Sequence, residues 1–252
     1  IDVDGTTNLD VVDIDGAVNM ASTLTITGAI NGATIKADTT NFVNSYLISQ
    51  DAGTGTLNSA SNNTGFGDSV FAALTTGDNN TGIGRESMLV NTTGASNTAL
   101  GSTSLDANTT GSFNTAIGQA SLTANTTAEE NTAVGYSAAG ATTTGAVNTA
   151  VGSQALADNT TGSSNVAIGR EALHANTTAS NNTAIGKHSL RLNTTGGDNV
   201  AIGMDSMVAN TTGTANVAIG KAALDANTTA NSNVAIGKLS LTANTTGASN
   251  TG

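Results

Sequence analysis

From Asn63 to Gly252 one 17-residue unit repeats without an insertion or a deletion, and this regularity constrains the fold more than any other property of the chain. The unit reads Asn-Thr-Ala-Ile-Gly-x-x-Ser/Ala-Leu-x-Ala-Asn-Thr-Thr-Gly-x-x. Asparagine opens it at 63, 80, 97, 114, 131, 148, 165, 182, 199, 216, 233 and 250, and glycine follows four positions later in all eleven complete units. A fixed period of this size is the signature of stacked coils, each leaning on its neighbours. The sequence predicts an all-β protein, a parallel β-solenoid or β-roll of 17-residue coils.

Composition agrees with a thin structure. The chain has no Pro, Cys or Trp, only two Tyr and four Phe, and 30 Gly in 252 residues. A core of Ile, Val, Leu and Ala without large aromatic side chains has to be narrow. Lack of cysteine excludes disulfides and thiolate metal sites. The formal charge of −11 disfavours binding to nucleic acid or to an anionic membrane. No apolar run approaches the roughly 20 residues of a membrane helix, so membrane insertion is not expected. The start at Ile1 without an initiator Met or signal peptide, and the stop at Asn250-Thr251-Gly252 inside a twelfth coil, read as a fragment or processed product.

Three regions follow from the order of residues. Residues 1–36 carry short period-two segments such as Leu24-Thr-Ile26, punctuated by Gly5, Gly16, Gly28 and Gly32, and are expected to form a stalk of short strands intertwined with copies from other chains. Residues 37–62 hold Phe42-Val43 and Tyr46-Leu47-Ile48, which suit a cap and connector at the open lower end of the solenoid. Residues 63–252 are the solenoid itself, eleven repeats plus the start of a twelfth.

Within the repeat the fourth position is apolar in every coil (Phe66 and Ile83 through Ile236), and the ninth is nearly always large and apolar (Phe71 and Met88 through Leu241). These two columns are the predicted core. Alternation around the fourth position then turns positions two and four inward and the alanine of position three outward. The segment around the ninth reads as a short strand, with one helical turn, from Arg170-Glu-Ala-Leu173, as the alternative. Gly at position five implies a positive φ or a close backbone approach. Position fifteen accepts Ala128, Ala179 and Ala230, so it cannot be strictly left-handed. Between the two glycines, the asparagines and threonines stack into amide and hydroxyl ladders that serve buried turn carbonyls: Asn97, Asn114 and Asn165 at position one, Asn108, Asn125 and Asn176 at position twelve, Thr109 and Thr110 beside them. One coil buries too little to fold alone. The outward column of Ala99, Ala116, Ala133 and Ala150 is therefore expected to join chains in a parallel homotrimer.

Asn-Val-Ala-Ile-Gly at 165–169, 199–203, 216–220 and 233–237 resembles the core motif of trimeric autotransporter adhesin heads, which are left-handed parallel β-rolls. The longer unit from Asn97-Thr-Ala-Leu-Gly through Asn108-Thr-Thr-Gly111 is similar to repeats of bacteriophage tail fibres, notably those of marine phages. Asn8-Leu-Asp-Val-Val-Asp-Ile-Asp-Gly-Ala-Val-Asn19 and Ser22-Thr-Leu-Thr-Ile-Thr-Gly28 resemble the shafts of such fibres. The resemblance implies a structural fibre segment of a phage tail or virion, a spacer with a candidate host-receptor-binding surface, located in the virion tail fibre. A bacterial trimeric surface adhesin head, extracellular on the cell surface, is the alternative, and an ice-binding solenoid is the third reading. Thr-Thr neighbours point to opposite faces of a strand, whereas an ice-facing array wants Thr-x-Thr on one face, so the third reading ranks last.

Little in the sequence points to chemistry. Asp2, Asp4 and Asp10 place oxygen ligands at spacings reminiscent of a short calcium loop, but without the full ligand set, and read better as turn-forming, solvated acids. His174 and His188 fall in different columns with no paired acids in view. Nothing suggests a nucleophile, a phosphate loop or a cofactor, and the chain is not expected to be an enzyme. Position six holds Arg85, Arg170, Lys187, Lys221 and Lys238, an edge that could contact an acidic host glycan or protein, but Glu86, Glu171 and Asp205 in the next column offset part of its charge and it reads better as a solvated edge.

Overall fold

A computed structural model describes residues 34–49 and 55–252. The expected stalk falls largely outside the described residues, as do Asp2, Asp4 and Asp10. The chain enters through a hairpin, β1 (Thr34–Thr39) antiparallel to β2 (Phe42–Ser49). After β3 (Ala60–Ser61), each coil contributes one three-residue strand, from β4 (Thr64–Phe66) to β14 (Val234–Ile236). Parallel pairing runs unbroken from β2 through β4 to β14, and between repeats every Cα partner lies 17 residues away, as in Ala167↔Ala184. The structure is thus an all-β parallel solenoid of 17-residue coils with no helix among the described residues.

Sidedness of the strand is the reverse of the expectation. Ala99, Ala116, Ala133 and Ala150 are wholly buried, while positions two and four face outward, with Phe66 58% and Leu100 44% exposed. The cause is the asparagine of position one. Its amide has to point inward to reach the turn carbonyls, and a strand of period two then sends position three inward with it. The fourth-position column is not core, and the alanine column is no chain-joining surface.

The segment after the strand is neither a strand nor a helical turn. Positions seven and nine take left-handed backbone conformations in every coil, as at Gln154 (φ 57°) and Leu156 (φ 55°). Tight turns close between Ala155 N–H and the Gly152 carbonyl (3.2 Å) and between Asn159 N–H and the Leu156 carbonyl (3.4 Å). Hydrogen bonds still run from coil to coil, Leu156 N–H donating to the Ala172 carbonyl at 2.9 Å and Asp158 N–H to the His174 carbonyl at 3.0 Å. This conformation explains a selection visible in the repeat. At position nine, φ lies between 48° and 58° in all eleven coils, and the residue is Leu, Met, Phe or Ala, never Ile, Val or Thr. A branched Cβ is strained in the left-handed region, and among the described residues it is admitted there only at Thr103 (φ 54°) and Val147 (φ 60°), outside the ninth column. At the fourth position, which is ordinary strand, Ile and Val dominate.

The interior of a coil is small: one alanine, one leucine, a Ser or Ala at position eight and two asparagine amides, all buried. At the lower end the proportions change in a complementary way. Phe71, Val70 and Leu74 fill the first coil, and position three is Gly65 and Gly82 instead of Ala. A Cβ on Gly82 would stand 2.8 Å from Val70 and 3.1 Å from the Phe71 ring. The hairpin completes this end. Leu47 and Phe42 join the core, and the Ser45 hydroxyl accepts from Asn63 N–H at 2.8 Å, the place that an asparagine of a lower coil would take. The hairpin spans residues 34–49, so the boundary expected at 36/37 falls inside β1.

Candidate interaction surfaces

Two asparagine ladders hold the coils at a fixed spacing, and they meet on one atom. Asn97 N–H donates to Asn80 Oδ1 (3.0 Å) and Asn114 N–H to Asn97 Oδ1 (2.9 Å), and the pattern repeats at Asn165 toward Asn148 Oδ1 (3.0 Å). In the second ladder Asn108 Nδ2 donates to Asn91 Oδ1 (2.9 Å), Asn125 to Asn108 (2.8 Å) and Asn176 to Asn159 (2.9 Å). Both amides of a coil also donate to the carbonyl of position fifteen: Asn97 and Asn108 reach the Gly111 carbonyl at 2.9 and 3.0 Å, Asn165 and Asn176 the Ala179 carbonyl at 2.9 and 3.0 Å. The amides thus satisfy one another and the turn carbonyls, as a polar interior requires, with exceptions at Asn125 Oδ1 and Asn227 Oδ1. Thr109 joins through its hydroxyl, which donates to the Thr126 carbonyl at 3.0 Å. Thr110 does not: its side chain is exposed, as is position fourteen in nearly every coil.

The coil from Asn131 to Val147 interrupts the second ladder. Thr142, wholly buried, stands where nine of the other ten coils have asparagine and the first has Leu74. Asn125 Oδ1 below it has no partner, and Asn159 Nδ2 above reaches the Thr142 hydroxyl only at 3.4 Å. An orphaned buried acceptor costs about 1–3 kcal/mol. Thr142→Asn is expected to recover a gain of that order, read as a higher urea midpoint and slower amide exchange in coils 114–147. A lower midpoint would show that the coil has closed around the smaller side chain.

Outside the ladders, the sheet presents a single outward face. Positions two and four run up it for eleven coils with only Thr, Val, Ile, Leu and Phe and without one charge. Ile83, Leu100, Ile168, Ile219 and Ile236 are each more than a third exposed, and Tyr46 and Ile48 of β2 extend the stripe downward in register with Thr64 and Phe66. At about 4.8 Å per coil the apolar strip is roughly 50 Å long.

The basic edge is split by the structure. All five of its residues are exposed, but Arg85 is paired with Glu86 and Arg170 with Glu171, whereas Lys187, Lys221 and Lys238 have no ion pair among the described residues. Beside it lies a cluster that sequence reasoning missed. Glu171, His188 and Asp205 occupy the same position of successive coils and so stand one above another, with His188 Nε2 3.6 Å from Glu171 Oε2 and Nδ1 3.2 Å from Asp205 Oδ1. Arg170 and Arg191 close on Glu171 at 2.7 and 2.8 Å. The hydrogen bond from Arg191, with the charges of both arginines, outweighs partial desolvation and holds the Glu171 carboxyl below the usual range. His174 meets Asp158 at 3.4 Å. Both histidines thus have acidic neighbours, contrary to expectation, and the 17-residue spacing was the signal for the first. Among the described residues no three His, Asp or Glu side chains converge as a metal site, and no helix is long and apolar enough to cross a membrane. No family model, curated protein or solved structure matches the chain.

Proposed function

We propose that the chain is a structural fibre segment, assembled as a parallel homotrimer whose sheet faces pack together along a common axis. One observation carries the reading: an uncharged, apolar strip of about 50 Å on one face of each coil stack, far longer than the scattered apolar residues of a soluble monomer's surface. A second copy is the occupant that fits, because only another solenoid with the same coil spacing can meet the strip in every coil. The resemblance to phage tail fibres and trimeric adhesin heads supports three chains and a role as spacer. It also favours a virion tail fibre as the location, with a bacterial surface adhesin as the alternative. The outer turns, with the unpaired Lys187, Lys221 and Lys238, would then be the surface offered to a host glycan or protein.

Light scattering is expected to give three times the chain mass, and electron microscopy short rods. Ile168→Asp with Ile202→Asp places charges in the strip and is expected to yield monomers that keep the β-rich circular dichroism of the coil. Ala133→Glu and Ala150→Glu, by contrast, bury a charge inside the coil and are expected to unfold it. A wild-type chain that is monomeric at micromolar concentration would overturn the assembly.

A further inference from the structure

The outer bend of the coil holds a side chain that stacking does not explain. Position fourteen is threonine in all eleven complete coils and is exposed in every one but the first, yet its hydroxyl has no hydrogen-bond partner among the described residues. Other exposed positions have diverged freely. Position seventeen runs through Asn, Ser, Phe, Glu, Val, Asp and Ala. If position fourteen needed only a branched Cβ, valine or isoleucine would serve there, and if it needed only a solvated hydroxyl, serine would. Threonine alone among these supplies a methyl and a hydroxyl together.

The threonines of positions thirteen and fourteen share one surface. Thr160 and Thr161 are the middle residues of a bend that Asn159 closes by donating from Nδ2 to the Gly162 carbonyl at 3.0 Å, as Asn176 does to the Ala179 carbonyl one coil on. Asn159 and Gly162 are buried, while Thr160, half-buried, and Thr161, exposed, lie side by side on the outside. Adjacent threonines face opposite ways in a strand, but not in this bend. The bend is also fixed from coil to coil, because the Thr177 carbonyl accepts from Thr160 N–H (2.8 Å), Thr161 N–H (3.2 Å) and the Thr160 hydroxyl (2.9 Å). Each coil therefore adds two threonines to a rigid, uncharged rank that repeats at about 4.8 Å for roughly 50 Å. A small ligand needs one site; eleven identical sites in a line fit a partner that is itself periodic. Neither an aromatic platform nor an amide or carboxylate stands in these columns to grip a sugar. We infer that the threonine bend is an ice-binding surface. Its methyls order the first layer of water and its hydroxyls bond into that layer, at a spacing close to the repeat of oxygens in the ice lattice.

Thermal hysteresis and inhibition of ice recrystallisation test the inference on the whole chain, and the wild type is expected to show both. Thr161→Lys with Thr178→Lys and Thr195→Lys sets charges at exposed places in the middle of the column and is expected to lower the hysteresis at least tenfold, with unchanged circular dichroism. The same three positions changed to Ser lose only their methyls, and a several-fold fall is expected there even if the Lys variant does not fold. Gln119→Lys with Ser153→Lys and Met204→Lys adds the same charge at exposed places outside the columns and is expected to leave the hysteresis as it is. A wild-type chain with neither activity overturns the inference, as does a folded variant at 161, 178 and 195 that keeps both. An equal loss in the two Lys variants overturns it as an effect of charge alone. Retention on crystalline cellulose or chitin without any ice activity overturns it in favour of a sugar lattice. Light scattering reads the assembly of the fibre separately, so that reading stands or falls apart from this one.

Discussion

Gly169→Ala is expected to cost about 2–6 kcal/mol, enough to unfold several coils around it. Two penalties combine. Gly169 sits at φ +129°, a region that L side chains rarely adopt, where strain alone runs to about 1–3 kcal/mol. An added Cβ would also stand 2.7 Å from the carbonyl carbon and oxygen of Gly186 in the next coil, where overpacking adds about 1–3 kcal/mol. Neither atom can retreat, because the coil spacing is set by hydrogen bonds on both sides. Two controls separate the terms. Gly237, at φ +128°, has nothing within 4 Å of its added Cβ, so Gly237→Ala is expected to show the conformational penalty only. Gly140 has no positive φ and its nearest neighbour would be 3.4 Å away, so Gly140→Ala is expected to be neutral or slightly stabilising. Chemical denaturation with amide exchange resolved by coil would read all three. If Gly169→Ala melts with the Gly140→Ala chain, the stacking of position five does not set the coil spacing.

Asn165→Ala is the second large effect, expected at about 2–6 kcal/mol. Asn165 is wholly buried. Its Oδ1 accepts from Asn182 N–H at 3.0 Å, and its Nδ2 donates to the Ala179 carbonyl at 2.9 Å and to Asn148 Oδ1 at 3.2 Å. After truncation the Ala179 carbonyl keeps the bond from Asn176, and Asn148 Oδ1 keeps the Asn165 N–H, but Asn182 N–H loses its acceptor. One orphaned buried donor at about 1–3 kcal/mol, with two lost bonds near 0.5–1.5 kcal/mol each, sets the range. Asn165→Asp tests the same site by charge. The introduced carboxyl keeps the acceptor for Asn182 but faces two acceptors, Ala179 O and Asn148 Oδ1, so the folded chain favours the protonated form. Its folded-state pKa is raised, and the variant's stability is expected to be greatest at low pH and to fall as pH rises through that value. A deficit no larger than that of the exposed Thr178→Ala, with no dependence on pH, would show the ladder to be unimportant.

Both sites illustrate how much of the molecule could be read from residues in a line. The 17-residue period fixed coil length, parallel stacking and the architecture, because an unbroken repeat admits only one residue-to-residue register, i with i+17. The invariant glycine of position five, the permissive one of position fifteen and the amide ladders were all legible, since each is a local consequence of stacking identical units. Even the Glu171, His188 and Asp205 column was implied by the spacing, though their proximity depends on it being applied to variable positions as well as to constant ones.

What only the tertiary structure decided was which way the strand faces. Hydrophobicity argued that the isoleucine of position four points inward, whereas the amide of position one needs the same interior to reach buried carbonyls. In a strand of three residues both cannot be met, because positions one and four lie on opposite faces. The amides win: Asn165 is wholly buried and Ile168 is 38% exposed. An unsatisfied turn carbonyl inside a coil has no alternative partner, while an exposed isoleucine can still be covered by another surface. The left-handed conformations at positions seven and nine were likewise hidden, since leucine and glutamate carry no signal for positive φ. They arise because the chain must turn back within eight residues while keeping hydrogen bonds to the coils above and below, and that constraint exists only once the coils are stacked.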